Sequence, residues 1–148
     1  MRARTFGHVL AFATLSVAAP AWAQTFTTGT KPYVLHGKLA ADQAGAKQSG
    51  WFAVSLGTVG QPDTPVRWVG VSAFNTWDDD PFVGREVLRR LLPDQPTLLL
   101  TGPSEMLARV RDAPTGNKLV LRGMLVPESR NFMLSAVQIL APDAKMPD

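Results

Sequence analysis

Three consecutive carboxylates, Asp78, Asp79 and Asp80, lie in the stretch NTWDDDPFVGRE and form the densest cluster of one chemical type in the chain. Carboxylate oxygens are hard ligands for calcium or magnesium, so the cluster reads as a metal site or as the acidic centre of a metal-dependent hydrolase. Against this, the alternating Asp-x-Asp-x-Asp-Gly spacing of a calcium loop is absent. Three adjacent acids also cannot all turn toward one ion without an unusual backbone. The competing reading is the start of a helix. Asp80 then sits at the cap, Pro81 at the first helical position where its missing N–H costs nothing, and negative charge lies at the positive end of the helix dipole. Helix initiation accounts for one or two of the acids and leaves the third open.

His36 is the one histidine after residue 23, and the chain has no cysteine. A histidine base would therefore have to be His36, which has no Ser or Asp at a motif spacing; a structural or surface role is expected for it. With one histidine and no thiol, a zinc or copper site within a single chain is not expected, and neither is a cofactor. The aromatics are more suggestive. Trp51, Phe52, Trp68, Phe74 and Trp77 gather on and just after two predicted strands, with Arg67 beside Trp68. If exposed, they offer faces for stacking and Arg67 a polar contact; if buried, they are core. The candidate ligand-binding set is Trp51, Arg67, Trp68, Phe74 and Trp77. Asp78, Asp79 and Asp80 form the alternative metal set.

The N-terminus bears on where such sites would work. Arg2 and Arg4 precede an apolar run, Val9 to Ala19, that ends in the small-x-small triplet Ala21-Trp22-Ala23. This is the order of a secretory signal peptide over residues 1–23, with cleavage expected before Gln24. The run is too short to cross a hydrocarbon core and no later segment is longer, so no transmembrane segment is expected after cleavage. Loss of Arg2 and Arg4 lowers the formal charge of +3 to +1. The remaining charges of both signs are scattered along the sequence, which gives no footprint for nucleic acid. The expected location is the periplasm or the medium.

The elements that must position the candidates follow from periodicity. Residues 24–32 read as a flexible lead-in, 33–141 as one domain and 142–148 as a tail. YVLHGKL (33–39) alternates as a strand, with Tyr33, Leu35 and Leu39 opposite Val34, His36 and Lys38. AADQAGAKQSG reads as a connection to a second strand, WFAVSL (51–56), and VRWVGVSAF (66–74) is a third. From Pro81 the period changes to that of a helix, with Val83, Val87 and Leu91 at steps of four beside Leu88 and Leu92, and Pro93 as the stop. TLLLT (97–101) reads as a short buried strand, and SEMLARVR (104–111) as a helix capped by Ser104. KLVLRGMLV (118–126) and FMLSAVQIL (132–140) form a hairpin around PESRN. In the second of these, Phe132, Leu134, Ala136 and Leu140 share a face. YVLHGKL and LVLRGML also echo each other, with a mid-strand glycine in both; such a glycine marks a sharp bend or a close backbone approach and suggests a closed barrel.

Three strands, a helix and a closing strand pair, together with GNKLVLRGMLVPESRNFMLSAVQIL, resemble an OB-fold, and more distantly the small exported bacterial OB-fold proteins. The resemblance implies a mainly β, small closed or partly open barrel with one or two helices and a ligand face on strands two and three. Residues 93–117 stand out as an insertion. The functional expectation is an exported, non-enzymatic binding or accessory domain contacting a protein, peptide or glycan of the cell envelope. A metal-dependent hydrolase using Asp78–Asp80 is one alternative. A structural subunit of an envelope assembly, pairing through an exposed TLLLT edge, is another.

Overall fold

In the computed structural model of the chain, the residues described are 32–61, 63–76, 81–93 and 96–147, without the side chains of residues 81–83 and 91. Trp77 and Asp78–Asp80 lie outside them. Among the described residues, six strands and three helices follow in the order β1 (Pro32–Ala40), α1 (Gln43–Ser49), β2 (Phe52–Thr58), β3 (Arg67–Asn75), α2 (Pro81–Leu91), β4 (Thr97–Thr101), α3 (Ser104–Asp112), β5 (Lys118–Val126) and β6 (Asn131–Leu140). The strands close into a small barrel of the OB-fold-like class in the order β1-β3-β2-β4-β6-β5, with β5 returning to β1. Inward positions fill one core that includes Leu35, Val54, Val69, Leu98, Leu121 and Phe132.

β4 makes the closure. It runs parallel to β2 on one side and to β6 on the other. The strand within 93–117 is therefore part of the barrel rather than an addition to it, and α3 supplies Val110, and its C-cap Ala113, to the core. The same pairing removes the expected free edge at TLLLT, because both flanks of the strand are occupied.

The two mid-strand glycines mark distortions of the ladder. The register shifts between His36 and Gly37 where β1 meets β3, and between Arg122 and Gly123 where β5 meets β6. Each shift leaves one extra serine on the partner strand, Ser72 and Ser135. Their hydroxyls donate to the carbonyls of His36 (3.4 Å) and Arg122 (3.2 Å). A β-carbon at Gly37 would overlap the Val69 side chain, and one at Gly123 the Met133 carbonyl. Beyond each bulge the inward phase changes. Val69 and Val71 are followed by a buried Phe74, and Phe132 and Leu134 by a buried Val137. Ala136, expected inward by strict alternation, is exposed.

α2 packs against the last turn of β3. Gly84 allows this, since a β-carbon there would coincide with the Phe74 carbonyl oxygen. Leu88 and Leu92 point into the core, while Glu86, Arg89 and Arg90 face solvent. α3 lies toward the other end of β3, where Arg67 meets it. Its cap position is Pro103, which makes no side-chain cap bond, and Ser104 is already helical. Residues 41–50, expected as a connection, contain α1; the Asp42 carboxylate accepts from the Gly45 N–H at 2.7 Å and caps it.

Candidate functional site

α1 lies outside the barrel wall on the β2–β3 ladder. It comes close because Gly70 has no side chain; a β-carbon there would overlap the Ala46 carbonyl. Ala46 is fully buried beneath the helix, and Gln43 and Lys47, one turn apart, overhang the start of β2. Opposite them, Leu92, Pro93 and Pro96 carry the chain from α2 into β4. Between these walls, with Trp51, Phe52 and Ala53 also lining it, is a groove of about 300 Å³.

Trp51 is held on several sides. Its indole N–H donates to the Ser72 carbonyl, the Arg85 guanidinium lies 5.8 Å from its ring centroid, and Phe52 meets it edge-on at 6.5 Å. Its backbone N–H donates to the Val71 carbonyl at 2.9 Å, and Val71 is also the residue opposite Phe52. Two successive residues thus share one cross-strand partner. That local irregularity lets both aromatic side chains border the groove, where regular alternation would send them to opposite faces.

The groove also contains backbone. β4 begins at Thr97 opposite Ser55, so among the described residues Phe52–Val54 pair with β3 alone. The Ser55 N–H turns toward β4 and donates to the Pro96 carbonyl at 2.7 Å. Because peptide directions repeat every second residue, the Ala53 N–H and carbonyl face the same way, into the groove below the start of β4. Pro96 has no N–H with which to extend the ladder. No carboxylate lines the groove among the described residues, and Lys47 is its one cation.

Of the described candidates read from the sequence, Trp51 alone borders this groove. Phe74 is fully buried and stacks on Tyr33 with centroids 4.6 Å apart; the bulge at Ser72 turns it inward, so it is core and not ligand surface. Arg67 is committed to structure. Its guanidinium donates to the carbonyls of Arg111 (2.6 Å) and Ala113 (2.7 Å), with Val110 at 3.5 Å, and so caps the C-terminal end of α3. Trp68 is half-buried on β3 between Ala40 and Ser55 and does not line the groove. Trp77 and the alternative metal set Asp78, Asp79 and Asp80 fall outside the described residues. Among those described, no three His, Asp or Glu side chains are grouped as metal ligands.

His36 projects outward from β1, and burial, followed by the nearby Arg122 charge, holds its pKa below the ordinary 6.5. Gln43, Lys47, Leu92, Pro93 and Pro96 were not foreseen as site residues. The Asp42 cap followed by an Ala- and Gln-containing run was the available signal for α1, and hence for Gln43 and Lys47. Compared with protein-family models, curated proteins and solved structures, the chain matches none.

Proposed function

We infer that the chain is an exported, non-enzymatic binding domain whose groove at the start of β2 takes a short extended segment of an envelope protein. The observation that carries this reading is that, among the described residues, Phe52–Val54 pair with β3 alone. The Ala53 peptide faces a cavity walled by Trp51, Phe52 and Leu92, so main-chain hydrogen bonds and an apolar side-chain pocket are offered together. Lys47 on the rim favours a carboxylate beside that apolar residue. A volume of about 300 Å³ suits two or three residues rather than a long peptide.

The test is selection of random peptides on the purified protein, followed by calorimetric titration of the selected sequences. The expected consensus is one large apolar residue next to Asp or Glu, bound at least tenfold more weakly by Lys47→Glu. Peptides without that consensus, or equal affinity for wild type and Lys47→Glu, would remove the basis of the assignment.

A further inference from the structure

A second cleft lies along the other flank of α1. Gln43 and Lys47 border the peptide groove, whereas Gly45, Gln48 and Ser49 border this cleft. Its other walls are the end of β1 from Lys38 to Ala41 and the turn residues Thr115 and Gly116, and its volume is about 410 Å³. Each wall is tied down. The Asp42 carboxylate caps one end of α1, and the Gly50 N–H closes the other by donating to the Ala46 carbonyl at 3.2 Å. A β-carbon at Gly45 would stand 3.5 Å from that of Ala40, so this flank of the helix sits against the end of β1. Across the cleft, the Asn117 N–H donates to the Pro114 carbonyl at 3.2 Å, and Gly116 supplies the φ of 94° that the third position of such a turn needs. Two bonds join this turn to β1: the Gly116 N–H donates to the Leu39 carbonyl at 2.8 Å, and the Leu39 N–H to the Asn117 carbonyl at 2.9 Å. The cleft is therefore preformed, which lowers the ordering cost of filling it.

Its lining carries one charge. Lys38 is half-buried there, and among the described residues its ammonium has no ion pair or hydrogen-bond partner. Lys118, opposite it on β5, donates instead to the Ala144 carbonyl at 2.6 Å and does not line the cleft. No carboxylate lines it among the described residues. Gln48 and Thr115 are exposed and offer an amide and a hydroxyl. The Ser49 hydroxyl donates to the Gly45 carbonyl at 2.9 Å, and its oxygen can still accept. We propose that this cleft binds a small monoanionic hydroxy acid, a sugar acid of one ring, with its carboxylate at Lys38 and its hydroxyls at Gln48, Ser49 and Thr115.

The make-up of the cleft separates this ligand from others. A phosphate ester carries roughly −1.5 to −2 charge near neutral pH, more than one lysine balances. A neutral sugar forgoes the charge-assisted bond, and no aromatic ring lines the cleft to stack on its face. An added peptide strand needs a free backbone edge, but β1 is paired on both sides at Lys38, with Gly70 and with Lys118. The cleft shares no lining residue with the peptide groove, so its occupancy does not depend on the function proposed for that groove.

The experiment follows backbone amide NMR shifts of the isotope-labelled protein on titration with glucuronate, glucose and glucose phosphate. Lys38→Met keeps the stem and removes the ammonium, Thr115→Val removes one hydroxyl, and Arg90→Gln is a control of equal charge change at an exposed position on α2. Glucuronate is expected to give saturable shifts centred on residues 38–41, 48–49 and 115–116, weakened by added salt. Its affinity should fall about tenfold or more in Lys38→Met, by about threefold in Thr115→Val and by less than about twofold in Arg90→Gln. Glucose and glucose phosphate should bind the wild type about tenfold more weakly or worse. No saturable shift with glucuronate, shifts centred elsewhere, unchanged affinity in either cleft variant, an equal loss in Arg90→Gln, or equal binding of glucose or glucose phosphate would overturn the proposal. The wild-type shift map, the ligand preference and Thr115→Val decide the matter even if Lys38→Met fails to fold.

Discussion

Replacing Arg67 with Gln separates the structural role of this residue from the ligand contact suggested by its neighbours in sequence. Its guanidinium makes two short bonds to the last carbonyls of α3, at 2.6 and 2.7 Å, and a third at 3.5 Å that contributes little. A hydrogen bond involving a charged group nets roughly 1.5–3 kcal/mol, and water recovers part of that at a half-exposed site such as this one. Cationic charge at a helix C-terminus adds about 0.3–1 kcal/mol. Arg67→Gln should therefore cost about 2–3 kcal/mol, which lowers Tm by on the order of 10 °C in a domain of this size. Urea titration should show a lower midpoint at unchanged slope. Arg67→Lys should lose about half as much, since an ammonium keeps the charge but not the planar fork. Peptide affinity at the β2 groove should not change in either variant. Stability within about 0.5 kcal/mol of wild type, or a tenfold loss of peptide affinity without loss of stability, would refute the assignment.

Two further outcomes follow from the same geometry. Gly84→Ala places a methyl group on the Phe74 carbonyl, so α2 must lift from β3; the expected cost is about 3 kcal/mol or more, seen as loss of near-UV circular dichroism and early thermal unfolding. A near-wild-type melt would show that the helix seats differently. For His36, the folded chain takes up the proton less readily than the unfolded one. Its contribution to stability is therefore complete above the unfolded value of 6.5 and is lost as pH falls through 6.5 toward the lower folded value. An NMR titration should give a midpoint below 6.5, and Arg122→Gln should move it up only part of the way, because burial is the larger cause. A wild-type midpoint at or above 6.5 contradicts this.

The sequence shows the barrel more readily than the groove, for identifiable reasons. β4 and β5 carry unbroken apolar or alternating runs, and their observed limits, Thr97–Thr101 and Lys118–Val126, are those the pattern predicts. Alternation fails where a bulge adds a residue. At Ser72 it exchanges the inward and outward phases, so Phe74 becomes core. α1 escapes hydrophobic periodicity because it buries only Ala46, and it is held by the Asp42 cap and by contact with Gly70, a residue distant in sequence. The cap is a local signal, but the contact with Gly70 is not written in a local window. Lys47 becomes a site residue only after that helix has docked.

The short parallel strand that closes the barrel also sets where the molecule opens. Among the described residues, β4 meets β2 only over Ser55–Thr58 and β6 only over Leu99–Thr101, whereas β5 and β6 are paired along nearly their whole length. This seam is the part of the wall with the fewest ladder bonds. Its amides should exchange with solvent through local opening well before those of β1 and β5. Closure at β4 also joins strands that are not neighbours in sequence, which places it late in folding, after the β5–β6 hairpin. β4 therefore works as a latch, and the groove beside its first residue lies at the hinge of that latch. A segment bound along Phe52–Val54 would extend the seam and slow its opening.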